Sequence, residues 1–417
     1  MITPPPLRND CFALPAGVNW TPVEEALALL RARLTPIASA ETVALNDALG
    51  RILAEDAVAI RSNPPQANTA VDGYGFAGGA EEGAQVLPLI RGRAAAGVAF
   101  DGEVPSGMAI RVLTGAALPK GVDTVVLDED VRTDDTYVAF NGPLKQGANT
   151  RRAGEDVVAG ETILRAGRIL SPADLALCAV TGLAKLTVRR PLRVAVLSTG
   201  DEIVEPGNEA ALGKIYDANR PLLIAMLNRM GFTAVDLGRV PDRREALRDR
   251  LDEAANQADA IITSGGASAG DEDHVSALLR DAGAMQEWRI AVKPGRPLAL
   301  GMWRGTPVFG LPGNPVAAMV CTAVFARPAL SQLAGADWIE PVGFDVRAGF
   351  EKRKKAGRRE FLRARMTNGR AEVFKSEGSG RISGLSWADG LVELGDEARD
   401  IRPGDTVRYI PWSSFGL

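Results

Sequence analysis

The stretch Ile261 to Val275, IITSGGASAGDEDHV, holds the densest set of reactive side chains in the sequence. Gly266-Ala267-Ser268-Ala269-Gly270 matches G-x-S-x-G, the strand-to-helix turn that presents a nucleophilic serine in α/β-hydrolases. Such a serine needs a histidine base late in the chain. The only histidine, His274, follows Ser268 by six residues and falls on the helix that the turn itself would launch. From there it cannot arch back over the serine, so an esterase fails for want of a base. The same letters describe another device: a strand ending in Ser264-Gly265-Gly266 that offers backbone N–H groups to a phosphate or other oxyanion at a helix N-terminus. The sequence has no GxxxxGK[ST] loop, HExxH pair or strict GxGxxG, and Gly378-Ser379-Gly380 lacks both the spacing and a following long helix.

Carboxylates and cations recur in other glycine-containing loops. Asp201 and Glu202 follow a strand, Asp217 lies in IYDANR before a helix, and Asp271, Glu272 and Asp273 follow the glycines above. Oxygen donors without histidine or cysteine suit Mg²⁺, which keeps waters and takes substrate phosphates. Arg289, Lys293 and Arg296 supply the opposite charge around the Pro294-Gly295 turn. A phosphate-bearing ligand with Mg²⁺ would use both signs at once.

Positioning these loops falls to an alternating pattern. Leu192 to Ser198 reads as a buried strand, Arg220 to Met230 as a helix, Thr233 to Val240 as a strand and Glu245 to Ala258 as a helix. Strands at Ala260 to Thr263 and Thr306 to Gly310 follow, then a helix from Asn314-Pro315 toward Leu330. This alternation implies a parallel sheet covered by helices on both faces, with ligands at the carboxyl ends of its strands. Four loops should converge there: 198–202, 264–266, 293–296 and 311–314. Upstream, Thr21-Pro22-Val23-Glu24 reads as a capping box opening an amphipathic helix, and residues 41–190 as mostly β with a short helix between Ser171-Pro172 and Gly182. After residue 340 short strands return as a small β domain, in which the basic run Lys352 to Arg365 reads as a strand with one solvated face.

The totals fit a multidomain globular chain. Its 417 residues exceed one ordinary core, and a net charge of -4 argues against a general nucleic-acid binder. Three scattered cysteines suggest neither a disulfide framework nor a zinc site. The N-terminus lacks an apolar signal core, and the longest apolar run, Pro315 to Ala326, is too short to cross a bilayer. The expectation is a cytoplasmic protein with no membrane partner.

The motifs NTAVDGYGF, RVLTGAALP, RRAGEDV, LSTGDEIV, IYDANR, TSGGASAGDEDH, VKPGRPLALG and FGLPGNPVAA, in this order along nearly the whole chain, resemble the molybdopterin molybdenumtransferase family. This family includes the bacterial enzyme and the plant and gephyrin E domains. The resemblance implies a homodimer with four domains: a doubly wound α/β molybdopterin-binding domain (1–40 and 188–338), a linking and dimerisation domain (41–58 and 158–187), an inserted β-rich domain (59–157) and a C-terminal β-barrel-like domain (339–417). It implies Mg²⁺-dependent insertion of molybdate into adenylated molybdopterin with release of AMP. A molybdopterin adenylyltransferase and molybdoenzyme maturation factors would be partners.

Residue by residue, the resemblance makes Asp72 the essential aspartate near the reacting group and Thr114 a hydroxyl contact. It makes Glu202 and Asp273 catalytic and Mg²⁺-binding, and Asp217 a ligand contact. Ser264, Gly265, Gly266 and Ser268 become a phosphate or pterin loop, with Ser268 a hydrogen-bond donor. Arg289, Lys293, Arg296 and Pro297, with Arg358 and Ser379, would hold the ligand and the molybdate dianion. Three positions depart from the family pattern: Arg296 for lysine, Ala317 for serine and Val71 for methionine. A non-catalytic scaffold, a diverged duplicate and a molybdopterin adenylyltransferase are the alternative readings.

Overall fold

The run Leu192 to Ser198 becomes the strand Arg193–Thr199, buried throughout after its first residue. In the computed structural model, which describes residues 20–265, 274–282, 285–295 and 297–417, this strand is second from one edge of a six-stranded sheet. The order across the sheet is 233–240, 193–199, 260–264, 306–311, 297–303 and 285–289. The first four strands are parallel, as the alternation implies. The last two are antiparallel additions, so the sheet is mixed. Strands 297–303 and 306–311 form a hairpin whose two turn residues, Arg304 (φ 49°) and Gly305 (φ 82°), are both left-handed, the conformation that matches strand twist in a two-residue connection.

Ala195, Leu197, Ile261 and Val308 pack on one face under helices Arg244–Gln257 and His274–Asp281. Val194, Val196, Ile262 and Phe309 alternate to the other face, where helix Asn219–Arg229 packs beside the helix that starts at Pro315. That last helix runs on to Leu333, longer than its apolar run suggests, through a π turn at Thr322–Ala326. Pro328, without an N–H for the carbonyl four residues back, fits that irregularity. The helix is long and apolar enough to span a bilayer by composition, but 89% of its apolar window is buried inside the fold.

Helix Val23–Arg33 forms where expected, but without the capping box. The Thr21 carbonyl instead accepts from Ala291 N–H (2.8 Å), and the Glu24 carboxylate pairs with Arg359 (2.6 Å). A tertiary partner has taken the Glu24 half of the box, and the helix starts one residue later, with Pro22 at its N-cap.

The C-terminal strands close a five-stranded barrel in the order 359–367, 370–373, 344–348, 406–411, 390–394 and back to 359–367. Leu362, Ala364, Val392 and Val407 fill it. From Glu360 to Ala364 the basic strand has no solvated face: Phe361 and Arg363 are also buried, and Arg363 donates to the carbonyls of Ser376, Gly378 and Arg381. The short strand Val292–Lys293 pairs with Arg359–Glu360 and so belongs to this sheet, correcting its expected place among the central strands.

Residues up to Glu41 with Arg189–Leu417 form one compact unit, and Thr42–Val188 form a second. In the first, Arg190 N–H donates to Ser39 O (2.9 Å); in the second, Leu45 N–H donates to Ala184 O (2.9 Å). The second unit contains a six-stranded sheet over cores around Ile110 and Phe140, and a smaller core around Leu53, Leu170 and Cys178. Its helix Pro172–Val180 has a true capping box: Ser171 and Asp174 exchange side-chain and backbone bonds, and Gly182 (φ 90°) follows the end.

Candidate active site

In the first unit, the loops at the carboxyl edge of the parallel strands meet around two glycines. Gly265 has φ 89°, and a Cβ there would stand 2.8 Å from Thr199 O, so no larger residue fits. Its N–H donates to Leu311 O (3.2 Å). Gly265 therefore joins three strand ends and does not itself offer an amide to a ligand. Ser264 is buried, and its Oγ accepts from Asn219 Nδ2 (2.6 Å), which also donates to Gly313 O (2.7 Å). Asn219, in the IYDANR motif but not singled out by sequence, is thus the buried clamp between loops 264–265 and 311–314.

Gly295 lies against the same edge: a Cβ there would meet Cys321 Sγ at 2.9 Å, Ala317 Cβ at 3.7 Å and Pro312 at 3.8 Å. Ala317 is buried in that contact, so a serine at this position would put its hydroxyl into the packed layer. The barrel reaches the edge too. Ser379 O accepts from Val316 N–H (3.3 Å), and Gly380 lies near Asn314 Oδ1. The described parts of all four expected loops converge, with the barrel loop 376–381 added.

The charged residues divide by what holds them. Asp217 is buried: Oδ1 accepts from the N–H groups of Asn219 (3.1 Å) and Arg220 (3.0 Å), and Oδ2 from Arg220 Nε (3.3 Å). Its place is under the start of helix 219–229, positioning Asn219. Glu202 is exposed, and its carboxylate passes over Gly200 where a Cβ would stand 2.6 Å from Oε2. Lys293 Nζ pairs with Glu377 (2.5 Å) and lies 3.6 Å from Glu360; Lys352 Nζ pairs with Glu360 (3.0 Å) and with Glu377. Burial alone would push the Glu377 carboxyl up; Lys293 and Lys352 outweigh it and hold the group below the usual carboxylate range. Sequence reading missed Lys352, Glu360 and Glu377. Arg289 and Pro297 are register partners in the antiparallel strands, while Arg358 and Ser379 are half-buried in the barrel. Gly266, Ser268, Asp273 and Arg296 lie outside the described residues.

In the second unit, Asp72 and Thr114 meet directly. Thr114 donates to Asp72 Oδ1 through both its hydroxyl and its N–H, each at 2.6 Å. The hydroxyl bond, then the backbone bond, hold this exposed carboxyl below the usual range. Gly73 is required beside it, because a Cβ would stand 1.9 Å from Val126 O. Arg111 pairs with Asp128 and stacks 4.9 Å from the Tyr74 ring, fixing the strands that carry the pair.

Three family descriptions match in order: MoeA N-terminal region (domain I and II) over residues 21–182, probable molybdopterin binding domain over 195–332, and MoeA C-terminal region (domain IV) over 345–412. A molybdopterin molybdenumtransferase of Haemophilus influenzae is 36% identical over 381 residues, covering 89% of this chain and 94% of the relative. The chain belongs to the molybdopterin molybdenumtransferase family. Molybdopterin molybdenumtransferase 2 of Mycobacterium tuberculosis is 34% identical, covering 88% and 94% of the two chains. The crystal structure of the molybdopterin biosynthesis moeA protein of Pyrococcus horikoshii superposes with a TM-score of 0.81 at 30% identity, covering 94% of this chain and all of that one. The molybdenumtransferase fold, with its α/β domain and closed five-stranded barrel, is therefore the frame of the site.

Proposed function

We propose that the chain catalyses the insertion step of molybdenum cofactor biosynthesis: it binds adenylated molybdopterin and molybdate, cleaves the phosphoanhydride and releases AMP. The observation that supports this best is the joining of the α/β domain's ligand edge to the barrel loop 376–381, through Val316 to Ser379 and through Lys293, which meets Lys352 on Glu377. An edge of strand ends suits the nucleotide end of the substrate, and a lysine pair suits an oxyanion. Positioning and charge neutralisation are the chemistry such a site offers. Asp72, kept ionised by Thr114, acts at the reacting group in this reading.

Among the described residues no cluster of three metal-ligating side chains occurs. Glu202, exposed over its glycine, fits a hard cation that completes its shell with water and substrate phosphate, and Asp273 is the second ligand of the proposal. Mg²⁺ bound there supplies neutralisation of phosphate charge. The proposal includes a cytoplasmic location and a homodimer, the dimer alone being supported by the exposed apolar side chains Val58, Ile60, Val158 and Val180.

The test is AMP release from adenylated molybdopterin by the purified chain with Mg²⁺, with and without molybdate. Molybdate-dependent release, reduced at least about 100-fold in Asp72→Ala, is the expected result. Release by Asp72→Ala at the wild-type rate would overturn the role of Asp72. Absence of release by the wild type would overturn the insertion reading.

A further inference from the structure

A cavity of about 200 Å³ opens where the Lys293-Pro294 turn meets the barrel. Its charged lining is Lys293, Glu351, Lys352, Arg363, Lys375 and Glu377, with Glu360 buried behind the two paired lysines. At about 30 Å³ per water it admits a tetrahedral oxyanion with a few waters, while a pterin nucleotide needs the several hundred Å³ of an ordinary ligand cleft. The two carboxylates on the lysines differ. Glu360 is almost fully buried in its strand, whereas the Glu377 side chain is 46% exposed and sits in the 376–381 loop. Glu377 alone can leave without disturbing the barrel.

Its departure changes the charge of the seat. The lining carries four positive charges, on Lys293, Lys352, Arg363 and Lys375, against two negative ones, on Glu351 and Glu377, so the departure of Glu377 leaves a single lining carboxylate against four cations. Such a seat attracts an anion. The Glu377 carboxylate, bridging Lys293 and Lys352, has the place and the hydrogen-bond donors that two oxygens of such an anion would take.

We infer that Lys352 is a further anion-binding residue beside Lys293, and that Glu377 is an internal placeholder that an incoming tetrahedral oxyanion dianion must displace. Glu377 then sets the threshold for entry. The inference rests on the insertion reading for the identity of the anion as molybdate; the seat itself rests on the cavity and its charges. No bond is made or broken in the exchange. A carboxylate swings into water and the oxyanion replaces it on two ammonium groups.

The experiment is titration of the full-length chain with molybdate alone by isothermal titration calorimetry, with sulfate as a second probe. Glu377→Gln removes the competing charge and keeps the side chain's shape, so it should bind molybdate about tenfold more tightly than the wild type. Lys352→Met should weaken binding at least about tenfold, and Lys352→Arg should restore most of it, separating lost charge from lost fold. Equal affinity in wild type and Glu377→Gln overturns the placeholder, as does absence of binding by Glu377→Gln at millimolar molybdate. Wild-type affinity in Lys352→Met overturns the seat. The AMP-release assay separates the two readings: tightened binding without any release leaves the placeholder and removes the insertion reading, and release with unchanged Glu377→Gln affinity leaves the insertion reading and removes the placeholder.

Discussion

At Asp72 one oxygen accepts two bonds from a single neighbour, and this fixes both the orientation and the charge of the carboxylate. Because its titration lies below the ordinary aspartate value of about 3.9, the group is ionised throughout the neutral range. The stability it contributes is present above that value and is lost as pH falls through the depressed one. Thr114→Val removes the hydroxyl bond and keeps the N–H bond. An NMR titration of the Asp72 carboxyl should therefore show the midpoint move up but remain below about 3.9; an unmoved midpoint would deny the hydroxyl its part. At this scale the sequence was only partly legible. Asp72 and Thr114 are visible as motif residues, but their direct bond is not. Lys352 and Glu377 carry no local signal, since their meaning comes from Lys293, 84 positions from Glu377 in the chain.

Among the elements, the parallel strands and their helices could be read from periodicity because each buries a continuous apolar face over a full element length. The antiparallel strands 285–289 and 297–303 could not, the turn that leads from the second into strand 306–311, Arg304-Gly305, being only half signalled. The capping box at Thr21 misled because a motif states what a segment can do alone, and Arg359 offered Glu24 a stronger partner. Long-range charges also set where strands begin. Asp259, just before strand 260–264, accepts from Arg190 (2.6 and 2.8 Å) and from the N–H of Arg193 (2.9 Å), fastening the starts of two central strands. Burial works against its ionisation, yet these arginines hold it far below the usual range. Arg190→Ala should cost about 2 kcal/mol at pH 7, less than a fully buried pair because Arg190 is partly in water. The stabilisation is complete above the unfolded value near 3.9 and is lost as pH falls below it, so urea melts at pH 7 and pH 3 should show the difference shrink. A difference that persists undiminished at pH 3 would place the effect in packing.

For the molecule as a whole, the order of composition shifts, β-rich, then alternating, then β-rich again, made the class of architecture readable from sequence. The barrel's contribution to the ligand edge was readable only through the family resemblance, which gave Arg358 and Ser379; periodicity did not show it, because Val292–Lys293 looks like the end of a central strand and pairs elsewhere. The bonds from Arg190 to Ser39 and from Leu45 to Ala184 have a consequence for how such a chain can be assembled and taken apart. The chain passes from one unit to the other at two points, and within each unit the two strands of chain leading to them lie side by side, so Thr42–Val188 has the form of a cassette spliced into a host chain. Joining Glu41 to Arg189 through a short glycine-serine bridge should give a host that still unfolds cooperatively by circular dichroism, and the excised segment should fold separately. Loss of cooperative unfolding in both pieces would show that the seam is structural and not merely ancestral. If both fold, a gene of this kind could gain or exchange its middle third in one recombination event without redesigning either core.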